Sequence, residues 1–409
     1  MIRYLLSACE PVCVRTRTGR HAQAELMKPA VTNTYIGLSA CRHAQAERSF
    51  MSGIKGPAIF LAQFADDKPP FNSLENISSW AKSLGYKGVQ IPAWDKRLID
   101  IDKAASSRSY CEEIRSRCSS IEITELASHL FGQLIAVHPA YDELFDAFTE
   151  PSLRNNPKAR QKWAVEKMTA VIKASANLGL KTVPTFSGAL LWHLMYPWPQ
   201  RPAGIVEEGF KALASLWKPV LNTASDYGID LAYEIHPGED LHDGVTFEKF
   251  FEATGRHKSV NILYDPSHFV LQCLDYIGFI HIYGEFIKAF HVKDAELRLS
   301  GRSGVYGGYQ NWKERPGRFR SPGDGDIDFK KVFTALTEIG YSSWAVIEWE
   351  CCIKDAEQGA KEGALFIESH LIKTPEKSFD DFAGSALPVR VRTQTGTDKK
   401  RNRKILGLE

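Results

Sequence analysis

Nowhere in its 409 residues does the chain hold an apolar run approaching the ~18 residues of a membrane span, so it is expected to be soluble and without membrane contact. Paired cysteines are missing too. The eight cysteines stand at 9, 13, 41, 111, 118, 273, 351 and 352 without a CxxC pair, which argues against a cysteine metal site and for a reduced, cytoplasmic setting. Cys273, Cys351 and Cys352 lie in apolar company and are expected as small buried hydrophobes. Nor is there net charge of one sign: 51 Lys and Arg face 49 Asp and Glu, for a total of +2. Residues 1–50 carry +4 and residues 387–409 carry +5, which leaves −7 for residues 51–386. An acidic body is a poor footprint for phosphate backbones, so no nucleic-acid partner is expected.

What is present is apolar material for a large core, at 44% of residues with 11% aromatic, which excludes a wholly disordered chain. The length allows two or three small domains or one large α/β barrel. Residues 1–50 show no sustained period and repeat the hexapeptide RHAQAE at Arg20–Glu25 and Arg42–Glu47, so they read as a disordered extension before a natural start near Met51. An Arg-rich transit peptide fits less well, because Glu10, Glu25 and Glu47 dilute its acid-poor signature. Residues 374–409 form a basic tail ending in Lys399–Lys404, a solvated charge run. The catalytic domain is expected over 51–373.

Within it, short apolar or β-branched runs alternate with amphipathic stretches, the pattern of βα units and a parallel sheet. Eight strands are predicted, at 58–64, 88–91, 121–127, 182–186, 230–235, 261–264, 289–292 and 344–349. Asn72-Ser-Leu-Glu75 has capping-box spacing, and Gly85, Gly179, Gly228 and Gly340 stand where helix-terminating glycines belong. Eight units over some 320 residues predict a (β/α)8 TIM barrel.

In such a barrel, chemistry belongs at the carboxyl ends of the strands. The last four strands end on Glu234 and His236, on Asp265 and His268, on His291 and Lys293, and on Glu348 and Glu350. Glu234, Asp265, His291 and Glu348 thus supply one ligand-type residue per strand. Each alone has a bland explanation, an ion pair, a turn before Pro266 or a satisfied core histidine. Together, three carboxylates and one imidazole in a barrel mouth are costly to bury unless a cation sits among them. Oxygen-rich ligation with one His suits Mn²⁺, with Mg²⁺ or Co²⁺ as alternatives.

These residues resemble those of the sugar phosphate isomerase/epimerase family, the xylose isomerase-like TIM barrels, over roughly residues 57–372. Phe290-His-Val-Lys-Asp-Ala-Glu296 and Asp265-Pro-Ser-His268 carry the resemblance most specifically. It implies that Glu234, Asp265, His291 and Glu348 bind one divalent metal, and that Glu234 and Glu348 move protons as catalytic base and acid while an ene-diolate forms. It also implies that His268 binds a substrate hydroxyl. His236, Glu239 and Lys293 are further substrate-binding candidates, and Arg298 takes the place of an arginine that ketose epimerases carry one position earlier, where this chain has Leu297. His129 and His138 follow the third strand, and Trp94, Phe186, Trp192, Trp198 and Trp312 are candidate walls for a sugar. The long insertion 302–328, with Arg315, Arg318 and Arg320, resembles a subgroup found with sugar oxidoreductases, which implies functional pairing with one. Homo-oligomers are usual in such barrels.

The leading expectation is a metal-dependent sugar isomerase or epimerase acting on a small-molecule sugar. The alternative is a lyase, performing β-elimination on a 3-keto-glycoside or dehydrating an inosose through the same first half-reaction, which the insertion favours. An apurinic endonuclease on this fold is disfavoured by the acidic body. A non-catalytic binding or assembly subunit would be expected to have lost a ligand, and none of the four is missing.

Overall fold

The computed structural model describes residues 53–118 and 120–373. The expectations for residues 1–50 and for the tail 374–409 fall outside the described residues. Eight parallel strands form the barrel: β1 (Lys55–Phe60), β2 (Gly88–Pro92), β3 (Glu122–Ala127), β4 (Thr182–Thr185), β5 (Asp230–Glu234), β6 (Val260–Tyr264), β7 (Ile287–Val292) and, after an inserted hairpin of β8 (Asp294–Leu297) and β9 (Gly317–Arg320), β10 (Trp344–Ile347). Their order is β3-β2-β1-β10-β7-β6-β5-β4, with helices in the connections. The seam lies between β3 and β4. There Ser128 N–H and its hydroxyl both donate to Pro184 O at 2.8 Å. Carbonyl and N–H of one strand residue point the same way, so the donor that Pro184 lacks is on the β3 side, and no ladder forms between these strands among the described residues.

All eight predicted strands are present. The first begins three residues earlier than expected and ends at Phe60, because pairing to β10 starts at Lys55. The helix signals also hold with one shift. Ser73, not Asn72, caps the helix Leu74–Ser83 by accepting from Asn76 N–H at 3.3 Å, which moves the predicted capping box out of register. Gly85, Gly179, Gly228 and Gly340 all have positive φ at helix ends, the backbone shape that a Cβ disfavours. Among the described residues no helix is long and apolar enough to cross a membrane.

Strand periodicity sets the two layers of the core. Leu231, Tyr233, Ile262, Tyr264, Phe290 and Ile347 face the surrounding helices in one large cluster, while Ala232, Leu263 and Ala289 pack together inside the barrel. Two residues beyond Ala232, Leu263 and Ala289 along their strands come Glu234, Asp265 and His291. Period-two alternation therefore places these three side chains on the inner face, one layer above a small apolar floor.

Candidate metal centre and active site

Glu234, Asp265, His291 and Glu348 are buried and each offers a ligand atom, all within 4.8 Å of one another. Each is held from behind by its own local structure. Asp265 caps the helix Pro266–Leu271, its Oδ1 accepting from Ser267 N–H at 2.9 Å, which turns Oδ2 inward. Glu234 Oε1 meets His268 Nε2 at 2.9 Å, and His129 Nε2 lies 3.1 Å from Oε2, off the line of a good hydrogen bond. Lys293 Nζ donates to Glu348 Oε2 at 2.8 Å and lies 3.3 Å from Asp265 Oδ2 and 3.4 Å from Glu350 Oε2.

Glu234 Oε2 and Asp265 Oδ2 are nevertheless buried without an aligned hydrogen-bond partner. A carboxylate oxygen in that condition is expensive unless a cation neutralises it. Titration points the same way. Burial works to lower His291, but Glu348, Glu234 and Asp265 outweigh it and raise the imidazole to about 9. Burial raises Asp265 to about 7 and Glu350 to about 7, both against the pull of Lys293. Burial also works to raise Glu348, yet Lys293 and His291 hold it well below the usual carboxylate range. The cluster is short of positive charge, and the donor set of three carboxylates and one imidazole fits a divalent ion with a preference for oxygen ligands.

Two residues that strand-end reasoning missed stand behind His291. Gln90 on β2 donates its amide N–H to Glu125 Oε2 on β3 at 3.3 Å, and its carbonyl oxygen meets His291 Nε2 at 3.1 Å. A carboxylate only accepts, so the amide oxygen faces His291 and takes the Nε2 proton, which leaves Nδ1 as the nitrogen turned to the carboxylates. A signal for both existed in the sequence, since each is a polar residue beside apolar ones inside a strand, Val89 and Ile91 around Gln90 and Leu126 and Ala127 after Glu125.

A cavity of about 950 Å³ opens at the strand ends, lined by His236, His268 and Glu350 on the barrel side. Trp192, Trp312 and Phe319 form much of its wall. Burial, then His268, lowers His236 to about 3, and burial, then Lys293, lowers His268 to about 4, so both imidazoles are neutral. Of the other candidates, Phe186 packs on His129 and His236 at ring distances of 4.7 and 4.9 Å, and Trp94 packs on Phe60 and His129. Trp198 is exposed, and His138 packs on His193 with ring centres 4.0 Å apart; neither lines this cavity. Arg298 is not brought to the mouth either: its guanidinium is exposed and paired with Asp326 at 2.7 Å. Lys293 sits under the cavity among the carboxylates rather than on its wall. The cysteine expectation is corrected. Cys273 is exposed in a turn after its helix and Cys351 and Cys352 are half-buried at the cavity wall, whereas Cys111 and Cys118 are buried.

Glu239 and its neighbour Asp240 serve the loop beyond β4. Glu239 Oε2 accepts from Gly188 N–H at 2.6 Å, and Asp240 accepts from the N–H groups of Leu190, Leu191 and Trp192 at 2.8, 2.7 and 3.1 Å, which sets Trp192 at the cavity wall. Gly188, at φ +100, approaches Ala136 O so closely that a Cβ would meet it at 2.4 Å. Burial chiefly raises Glu239 from 4.5 to about 8. Because the folded chain binds this proton more tightly, Glu239 adds stability that is fully present below pH 4.5 and is lost as pH rises through about 8. Glu239→Gln is expected to narrow the fall in melting temperature between about pH 5 and about pH 9; an unchanged difference would contradict this.

Comparison with known proteins places the barrel. The chain is 25% identical over 313 residues to an inosose dehydratase of Clostridium perfringens, covering 74% of this chain and 91% of that one. It is 29% identical over 154 residues to the inosose dehydratase of Bacillus licheniformis, where it spans 37% of this chain and about half, 51%, of the relative. Among solved structures, a xylose isomerase domain protein from Planctomyces limnophilus is similar at a TM-score of 0.52 and 18% identity, covering 78% of this chain and 96% of that one. The 3-keto-D-glucoside 4-epimerase of E. coli is similar at 0.51 and 13%, covering 77% and 100%. These two speak for the fold alone. A profile of the family described as xylose isomerase-like TIM barrel matches residues 79–370, which is most of the chain, and the protein belongs to that family.

Proposed function

We propose that the protein is a divalent-metal-dependent carbon–oxygen lyase acting on a polyhydroxylated ketone, a keto sugar or an inosose. The observation that carries the metal-dependent part is the convergence of Glu234, Asp265, His291 and Glu348 within 4.8 Å, with two carboxylate oxygens buried without an aligned hydrogen bond. The choice of lyase over the isomerase or epimerase first expected is supported by the inosose dehydratases similar to this chain. A divalent ion held by the four ligands would supply positive charge at the substrate's oxygens and so acidify the adjacent C–H bond.

The chain's own groups do the rest. One of Glu234 and Glu348 takes the proton from the carbon next to the carbonyl. The electron pair left behind forms the new C=C bond as the hydroxyl on the next carbon departs with its own pair. A proton must reach that oxygen, and His268, hydrogen-bonded to Glu234 Oε1 and among the residues that line the cavity, is placed to pass one between Glu234 and a substrate oxygen. Water leaves, and the balance closes as a dehydration. Trp192, Trp312 and Phe319 exclude bulk water from the reacting face.

The second reading, epimerisation, shares the proton abstraction and differs only in return of a proton to the opposite face. It is favoured by the presence of two carboxylates, Glu234 and Glu348, in one small site. Protein with Mn²⁺ in D₂O, given scyllo-inosose and separately a ketohexose, tells them apart. Loss of water from the inosose, with the enone absorbance that follows, is expected. Deuterium retained at the α carbon of the ketohexose with no elimination from either compound would instead support the epimerase, and neither change would sink both.

A further inference from the structure

The insertion 302–328 carries three arginines near the cavity, and their fates differ. Arg318 and Arg320 both pair with Glu296 across the β8–β9 hairpin, Arg320 at 2.7 Å, and so serve to hold the hairpin together. Asp294 anchors its return, accepting from the N–H groups of Gly323 and Gly325 at 2.9 Å. Arg315 has no such duty. Among the described residues it makes no ion pair and no side-chain hydrogen bond; its Nε is buried without a partner. Its guanidinium lies 4.8 Å from the ring centre of Trp312 and half-buried on the cavity wall. It is the only Lys or Arg lining that cavity among the described residues.

A buried guanidinium N–H without an acceptor, as at Arg315 Nε, is costly, and a guanidinium laid on an indole ring has its planar fork oriented in advance. Both features suit a ligand that brings two acceptor oxygens. Space is available as well, since about 950 Å³ lies toward the top of the range of about 300–1,000 Å³ for small-molecule sites, so a sugar ring at the metal centre leaves room for a substituent. The charge is complementary in one direction only. Glu350, the carboxylate on the same wall, is occupied by Lys293.

We propose that the outer part of the cavity is an anion subsite, in which Arg315, stacked on Trp312, binds a carboxylate or phosphate carried by the substrate. The substrate class is then an acidic or phosphorylated keto sugar rather than a neutral one. This rests on the reading of the cavity as the site of a polyhydroxylated ketone.

The test uses the full chain, with Mn²⁺ and separately with EDTA, titrated by calorimetry with D-fructose, D-fructuronate and D-fructose 6-phosphate. One of the two anions is expected to bind about tenfold or more tightly than fructose, and which one does so identifies the carboxylate or the phosphate. Arg315→Met should bring that anion to within about twofold of fructose while leaving fructose itself unmoved. Arg315→Lys, which keeps the charge but loses the fork and its stacking on Trp312, should fall between. Arg302→Met, which removes an exposed charge from the same insertion, should change nothing. The proposal is overturned if neither anion binds better than fructose, if Arg315→Met weakens fructose as much as the anion, or if Arg302→Met has the same effect. Failure of the metal-dependent reading would register separately, as no Mn²⁺ binding in either protein, while the preference for an anion is still read in EDTA.

Discussion

Asp265→Asn is expected to abolish Mn²⁺ binding and turnover together while leaving the fold intact. The substitution is nearly isosteric, and Asn can still cap the helix Pro266–Leu271 through the oxygen that now accepts from Ser267 N–H. What it removes is the charge on Oδ2, the oxygen buried without an aligned hydrogen bond in the cluster with Glu234, His291 and Glu348. Loss of residues that only support metal ligands costs about 10- to 100-fold in affinity or activity, so loss of a ligand belongs beyond about 100-fold. Burial already lifts this carboxyl to about 7, so in EDTA the variant should be no less stable than the parent. The expected signature is an unchanged melting temperature in EDTA and no rise on adding Mn²⁺, where the parent rises. A variant that still gains stability from Mn²⁺ would show that Asp265 is not a ligand.

Lys293→Met should produce the opposite pattern. Its ammonium is buried and lies within 2.8, 3.3 and 3.4 Å of carboxylates on Glu348, Asp265 and Glu350. Burial works to lower it, but those carboxylates hold it charged. Removing one partner of a buried charge cluster leaves the others uncompensated, at about 3–5 kcal/mol. Denaturant unfolding in EDTA should therefore show a loss of that order, and Mn²⁺ should restore more stability to the variant than it adds to the parent, since a divalent ion supplies the missing positive charge. A loss under about 1 kcal/mol would mean that the carboxylates are neutral without Lys293.

Glu234, Asp265, His291 and Glu348 could be found in the chain because each ends a short apolar run, and a strand offers its side chains only two directions. Once the runs are recognised as strands of one barrel, alternation from Ala232, Leu263 and Ala289 decides that the residues two further on point inward. Gln90 and Glu125 obey the same rule but lie inside strands rather than at their ends, so a search of strand ends passes over them. Glu239 is placed near the site by the sequence, yet its carboxylate turns to Gly188 N–H, a bond between loops 51 residues apart.

The arginines make the division clearest. Arg298, Arg315, Arg318 and Arg320 lie within 23 residues, and no local pattern separates them. Only the folded hairpin pairs Arg318 and Arg320 with Glu296, ties Arg298 to Asp326 and leaves Arg315 on the cavity wall. By itself, the order of amino acids determined the eight strands, the inner face of each and so the four side chains that converge there, because backbone geometry converts spacing directly into direction. The tertiary structure alone decided which loop residues reach the cavity, because a loop has no such period and its course follows from carboxylates such as Asp294 and Asp240, whose backbone partners lie 29 to 50 residues away in the chain.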